Sequence, residues 1–296
     1  MFVAFRNGFP ILSSSHSFTQ RTVPPIFIHK NRLTTRVLAA MADAIAQPTP
    51  DKIKVLPHEQ YITKDHLTPN NAPPSPLDQF CTWFKEAVEG GQVKEAEAMS
   101  LSTVSPLGIP SARIVLLKQV DRRGFVFFTN YTSRKSQEIL ANPHAALVFY
   151  WREVHRSVRV VGRVEKLTPE ENDEYFQSRP IGSRVGAWAS RQSKVISEEY
   201  LDSRLHKLQE RFGVRDGQGD GVVPTPEFWG GWRVIPECVS SDFLMCIVLV
   251  LILLNFPSEV EFWSGKPSRL HDRVRYLRTE EVSDDKPIWK IERLSP

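Results

Sequence analysis

Cysteine is scarce in this 296-residue chain: Cys81, Cys238 and Cys246 are all there is, and no two form a CxxC pair. An odd, scattered set argues against a disulfide framework and against a structural zinc site, and it fits a reducing compartment. Acidic residues are missing from residues 1–42, which carry Arg6, Arg21, Lys30, Arg32 and Arg36. The formal charge of the whole chain is +4, so setting those five cations aside leaves the rest at about −1. A nearly neutral body exerts no general attraction on nucleic acid. A Ser/His/Asp arrangement, an HExxH pair, a P-loop and a GxGxxG turn are also absent. Nothing in the chain therefore suggests nucleophilic hydrolysis, zinc chemistry or a phosphate-binding glycine loop.

Long apolar runs are equally rare. One exists, "DFLMCIVLVLILLNF" at 242–256, and only about a dozen of its residues qualify as apolar. A membrane span needs roughly 18–20, so no membrane association is expected. Residues 1–42, rich in Ser, Thr and Arg, have the composition of an organellar transit peptide. A disordered leader ahead of Met41 is the alternative. The proline-rich stretch 43–75 reads as an extended, mobile N-terminal segment.

Periodic structure begins at "PLDQFCTWFKEAVEGG" (76–91), where Phe80, Trp83, Phe84, Ala87 and Val88 share a helical face and two glycines follow. The period then changes. Residues 95–105, 110–120, 124–130, 144–153 and 156–167 read as strands, as do 229–237, 260–265, 269–278 and 288–296. Helices are expected at 133–142 with Ser133 as N-cap, at 168–180 with a Thr168/Glu171 capping box, and at 197–213 with Ser197 as cap and Gly213 as stop. The pattern predicts a mainly β fold, an antiparallel barrel with peripheral helices. A single domain over 76–296 accounts for it.

Cations embedded in apolar strands carry the chemistry. Arg113 lies inside "SARIVLLK" and Lys118 ends it; five residues apart, they face opposite ways on a regular strand unless a bulge intervenes. Arg134 and Lys135 follow "TNYTS" at an expected helix start, where main-chain amides and two cations suit a phosphate. Tyr175, Arg179 and Ser183 are spaced by four, so a helix, bent at Pro180, presents them together. Arg269, His271 and Arg273 alternate, so a strand puts all three on one face, where two arginines call for an anionic partner. Each cation alone reads as a solvated surface charge; together they point to an anionic ligand.

The ordered set "SARIVLLK", "FFTNYTSRK", "LVFYW", "YFQSRPIGS", "RQS", "WGGW", "EFWSGKPSRLHDR" and "ERLSP" strongly resembles the pyridoxamine 5′-phosphate oxidase family over about residues 57–296. The resemblance implies an FMN-binding split barrel of antiparallel, Greek-key type, working as a homodimer with both sites at the subunit interface. It implies oxidation of pyridoxamine or pyridoxine 5′-phosphate to pyridoxal 5′-phosphate, with oxygen as acceptor and hydrogen peroxide as product, in the cytoplasm or mitochondrion. Carried over by position, Arg113, Ile114, Val115 and Leu116 would run along the flavin, with Lys118 at its edge. Phe128, Thr129, Arg134 and Lys135 would hold its phosphate end. Gln192, Ser193, Trp263 and Arg273 would complete the cofactor site. Lys118, Tyr175, Arg179 and Ser183 would grip the substrate phosphate, and Arg269 and His271 would position the pyridine ring as the catalytic pair. The cofactor supplies the redox chemistry in such an enzyme, which accounts for the missing triad. A nicotinamide-using split-barrel reductase and a non-catalytic binding protein are the competing expectations.

Two departures stand out. Ser157, in "HRSVRV", stands where the family usually has Gln, so an amide contact to the flavin would be lost, at a cost of roughly one hydrogen bond. And Cys238–Glu259 intervenes where "WGGW..P" should run almost directly into "EFW". Deleting Val239–Glu259 restores the family spacing. "VS" at 239–240 can be encoded by GTAAGT and Glu259 by GAG, so the segment reads as a retained intron that remains in frame, with a real insertion forming a buried strand or helix as the alternative.

Overall fold

The computed structural model describes residues 45–49, 52–55, 60–63, 66–214, 221–236, 259–279 and 288–296. The leader 1–42 and the apolar stretch 242–256 lie outside them. The chain divides into two units, Met1–Glu59 and Gln60–Pro296. In the first, β1 (Ile45–Thr49) and β2 (Lys52–Val55) pair antiparallel, so paired strands stand within the expected mobile segment.

The second unit holds the sheet. Helix α1 (Pro76–Glu89) starts at Ser75, whose hydroxyl accepts from the Leu77 amide. It buries Phe80, Trp83 and Ala87, while Val88, expected on that face, is 51% exposed. Then come β3 (Ala98–Val104), β4 (Pro110–Leu116), β5 (Gln119–Asp121) and β6 (Gly124–Asn130). They are followed by α2 (Arg134–Ala141), β7 (His144–Trp151), β8 (Arg156–Lys166), α3 (Pro169–Ser178), α4 (Ile181–Ala189) and α5 (Glu198–Phe212). The chain closes with β9 (Trp229–Ile235), β10 (Glu259–Ser264), β11 (Asp272–Arg278) and β12 (Trp289–Arg293).

All strand pairs are antiparallel, in the order β12-β11-β10-β8-β7-β3-β4, with β9 joining β8 to β6 and β6 carrying β5. Just past β4, the Lys118 amide donates to the Val126 carbonyl of β6. The strands β4-β3-β7-β8-β9-β6 thus return on themselves as an antiparallel split barrel. Alternation explains the core. In β3, β7 and β8 every second residue is buried, as a strand with one covered face requires. Met99, Leu101, Leu147, Phe149, Val158, Val160, Val260, Phe262 and Tyr276 meet Phe80, Phe125 and Phe127 inside. β9 is buried along its whole length, and its Trp229 packs with Phe176 of α3 and Val185 of α4 in a smaller cluster.

Strand β8 organises the region that matters most. Along one edge it pairs with β7 over Arg156–Arg163. Along the other it pairs with β10 over Arg156–Val161 and with β9 over Arg163–Lys166. Between these, a Cβ on Gly162 would collide with the Ile235 carbonyl.

Helix ends follow the sequence in part. Thr168 and Glu171 form the expected reciprocal capping box, and Gly213 ends α5 in the left-handed conformation at φ 64°. Ser133 and Ser197 occupy the N-cap positions of α2 and α5 but neither side chain caps. The Ser133 hydroxyl is engaged by Ser136 and Lys135 instead. The helix expected over 168–180 forms as α3 and stops at Ser178, before Pro180, where proline removes a donor and crowds the preceding turn; α4, which follows at Ile181, was not expected as a separate helix.

Candidate active site

A cleft of about 700 Å³ opens between β4, the end of β6 and the α3–α4 pair. Arg113, Ile114, Val115, Leu116 and Lys118 form one wall; Phe128, Thr129, Lys135 and Gln192 form the floor and end; Tyr175, Arg179 and Ser183 form the opposite wall. Arg113 and Lys118 reach the same cleft because β4 stops at Leu116, which resolves the parity conflict. The break at Pro180 likewise leaves Tyr175, Arg179 and Ser183 on one cavity wall.

The helical wall is braced by aromatic stacking. Tyr175 lies against Phe128 at 3.9 Å between ring centroids, and Phe128 against Trp229 at 5.3 Å. The Arg179 guanidinium sits 5.0 Å from the Trp229 ring. Its Nη1 is buried with no hydrogen-bond partner among the described residues, and burial pushes its pKa down against the pull of Tyr175. A buried, unsatisfied cationic donor is costly unless an acceptor arrives.

At the other end of the cleft, Lys135 Nζ donates to Gln192 Oε1 at 2.6 Å, Thr129 Oγ1 at 3.1 Å and Ser133 Oγ at 3.4 Å. Burial first, then the charge of Arg113, lowers its pKa to about 8. Arg113 Nη1 donates to Thr103 Oγ1 and to the Leu101 and Ser111 carbonyls. Arg134 lies beside this end rather than in the cleft wall: its Nε donates to Glu138 Oε1 at 2.8 Å.

A second hollow, about 470 Å³, lies on the outer face of β7, β8, β10 and β11. Ser157, Arg159, Glu261, Trp263, Arg273, Tyr61 and Pro296 line it, and it shares no lining residue with the first cleft. Register sets it: Trp263 pairs with Ser157 on one side and Arg273 on the other. Arg273 Nε donates to Glu261 Oε1 at 2.7 Å and Nη1 to the Ser295 carbonyl at 2.8 Å. His271 lies 4.7 Å from Trp263 between ring centroids, and Tyr61 meets both edge-on. His271 Nδ1 accepts from the Lys266 amide at 3.1 Å, so that nitrogen is unprotonated and Nε2 carries the hydrogen. Burial, then Arg269 and Arg273, lowers the pKa of the ring.

The strand face expected for Arg269, His271 and Arg273 does not form. Ser268 and Arg269 have φ of 56° and 62° in a short turn, and β11 begins at Asp272. Arg273 finds its anion within the chain, at Glu261, while Arg269 is exposed. The expected site residues therefore fall into two groups. Arg113 to Leu116, Lys118, Phe128, Thr129, Lys135, Tyr175, Arg179, Ser183 and Gln192 share the cleft. Trp263 and Arg273 line the second hollow, with His271 against Trp263. Ser193, exposed at φ 67°, lines neither. Tyr61, Trp229, Glu138 and Glu261 were not anticipated as site residues. Trp229 and Glu261 stand inside the motifs "WGGW" and "EFWSGKPSRLHDR", and Glu138 lies four residues beyond Arg134 on one helix; Tyr61 had no such signal.

In class, this is an antiparallel split-barrel protein. PhzG from Burkholderia lata 383, solved with tetrahydrophenazine-1-carboxylic acid, matches with a TM-score of 0.63 and 27% identity, over 77% of this chain and 96% of that one. A pyridoxamine 5′-phosphate oxidase-related, FMN-binding protein from Nostoc punctiforme PCC 73102 shares the fold at a TM-score of 0.54 and 14% identity, over 76% of this chain and 100% of that one. The chain belongs to the pyridoxine/pyridoxamine 5′-phosphate oxidase family. Residues 84–203 match the pyridoxamine 5′-phosphate oxidase family, and 256–296 its pyridoxine 5′-phosphate oxidase C-terminal dimerisation region. A pyridoxine/pyridoxamine 5′-phosphate oxidase of Paraburkholderia xenovorans is 50% identical over 222 residues, 75% of this chain and 89% of that protein. One from Bordetella petrii is 46% identical over 237 residues, 80% and 97% respectively. Among the described residues no helix is long and apolar enough to cross a membrane.

Proposed function

We propose that two copies of this chain form a homodimer that binds FMN and oxidises pyridoxamine or pyridoxine 5′-phosphate to pyridoxal 5′-phosphate, passing electrons to oxygen and releasing hydrogen peroxide. The observation that carries this reading is the buried, unpartnered Nη1 of Arg179 in a cleft that also holds Lys118, Tyr175 and Ser183. That donor set suits a phosphate monoester, which supplies several acceptor oxygens at once. The other end, with Arg113, Lys135 and Thr129, suits a second phosphate. The residues thus fit a phosphorylated flavin and a phosphorylated substrate side by side.

FMN would supply the two-electron chemistry. Lys135, Thr129 and Arg113 would hold its phosphate, and Ile114 and Leu116 would offer an apolar edge to its rings. Tyr175, Arg179 and Ser183 would orient the substrate through its phosphate. His271, neutral with Nε2–H outward, would donate a hydrogen bond to the substrate ring, and Arg269 would lie against that ring. Because Trp263, Arg273 and His271 stand apart from the cleft, a second copy would bring them to it. The exposed apolar side chains Ile114, Leu116 and Tyr150 suit burial in such an interface.

The PhzG likeness keeps a second ligand class in view, since that relative was solved with a phenazine carboxylate. Oxygen uptake by the FMN-loaded protein separates the readings. Pyridoxine 5′-phosphate should support uptake and pyridoxine should not. Uptake that ignores the phosphate would overturn the substrate assignment, and FMN binding without turnover would support a binding protein disabled by 239–259.

A further inference from the structure

Glu138 is a buried carboxylate that the proposed chemistry does not use. It is 5% exposed, on α2. Its Oε2 accepts from Thr103 Oγ1 and Ser111 Oγ, both at 2.5 Å, and from Arg113 Nη2 at 3.3 Å. Its Oε1 accepts from Arg134 Nε at 2.8 Å. One side chain thereby ties α2 to β3 and β4 and faces two guanidiniums at once. Ser111 and Thr103 are shared: Arg113 Nη2 also donates to Ser111 Oγ, and Nη1 to Thr103 Oγ1.

We infer that Glu138 is a positioning residue that fixes Arg113 and Arg134 for the cofactor phosphate and so makes the site prefer a phosphorylated flavin to riboflavin. The inference rests on the FMN reading above. Arg113 and Lys135 at one end of the cleft and Arg134 beside it are three like charges, and without a counter-charge they repel and spread. A single carboxylate behind them leaves a net charge of about +2, the complement of a phosphate dianion. It also holds the guanidinium planes, and phosphate recognition by arginine depends on that orientation. An opposing effect exists: removing the carboxylate raises the positive potential and by itself favours an anion. Orientation dominates here, because a misdirected fork loses hydrogen bonds that a stronger field does not restore.

The test compares FMN and riboflavin by fluorescence titration of the full-length apoprotein, as wild type, Glu138→Gln and Ser111→Ala. Glu138→Gln should weaken FMN about tenfold and Ser111→Ala about threefold, with riboflavin unchanged within about twofold in both. Riboflavin binding serves as the control for folding, and Ser111→Ala, which removes no charge, carries the test if Glu138→Gln does not fold. Equal losses for both flavins mean a structural role and overturn the inference. Tighter FMN binding means Glu138 acts only as a counterweight and also overturns it. Wild-type protein that binds neither flavin overturns the cofactor reading itself, and the inference falls with it.

Discussion

Ile235 and Glu259 lie two positions apart along one neighbouring strand, opposite Arg163 and Val161 of β8, although 23 residues separate them in the chain. β9 and β10 run in the same direction along that edge, so they are two parts of one interrupted strand. Removing Val239–Glu259 leaves Pro236, Glu237 and Cys238 between Ile235 and Val260, which faces Val160. A regular strand needs two residues for that span, and three make a β-bulge. The shortened chain should fold, with greater soluble yield and FMN occupancy than the full chain. Equal yield and occupancy would reject 239–259 as an interruption of the fold.

Arg179→Lys keeps the charge but not the fork. Steady-state kinetics should show kcat/KM for pyridoxine 5′-phosphate reduced roughly 10- to 100-fold, mainly through KM. FMN affinity should hardly change. A variant with wild-type KM contradicts the phosphate role.

Ser157 sits between Tyr150 and Trp263 in register. Ser157→Gln supplies the amide that the family usually has, worth about 1 kcal/mol, or about fivefold in FMN affinity. Flavin titration checks it, and looser binding contradicts the placement of the second hollow against the cofactor.

Acid sensitivity should trace to Glu138. Burial raises its pKa, but hydrogen bonds from Ser111, Thr103 and Arg134 and the Arg134 charge outweigh that and hold it at about 2, below the ordinary 4.5. A depressed carboxyl pKa stabilises the fold fully above the unfolded value, and the benefit is lost as pH falls through the folded one. Thermal melts should show wild type more stable than Glu138→Gln at pH 6, with the gap narrowing between about 4.5 and 2. A gap that is constant with pH contradicts this origin.

Much of this was legible in the chain because it is local. Strand alternation placed β3, β7 and β8, the Thr168/Glu171 box fixed the start of α3, and the fourfold spacing of Tyr175, Arg179 and Ser183 foretold their common wall despite Pro180. What was not legible depends on distant partners or on backbone choices without a signal. Ser133 was free to cap α2 until Lys135 and Ser136 engaged its hydroxyl. Left-handed Ser268 and Arg269 carry no glycine to announce them, so the turn that removes Arg269 from its strand could not be foreseen. Three of the four donors to Glu138 come from β3 and β4. The division of the site into two hollows is a matter of sheet register, which no single motif encodes.

On the proposed reading, an oxidase site is completed across two copies. Arg179→Ala and Arg269→Ala chains, each inactive alone, should be mixed under refolding conditions and assayed for oxygen uptake with pyridoxine 5′-phosphate. Random pairing makes half the dimers hybrid, each with one intact site of two, so activity should return to about one quarter of wild type. No recovery, with hybrids shown to have formed, would contradict the account.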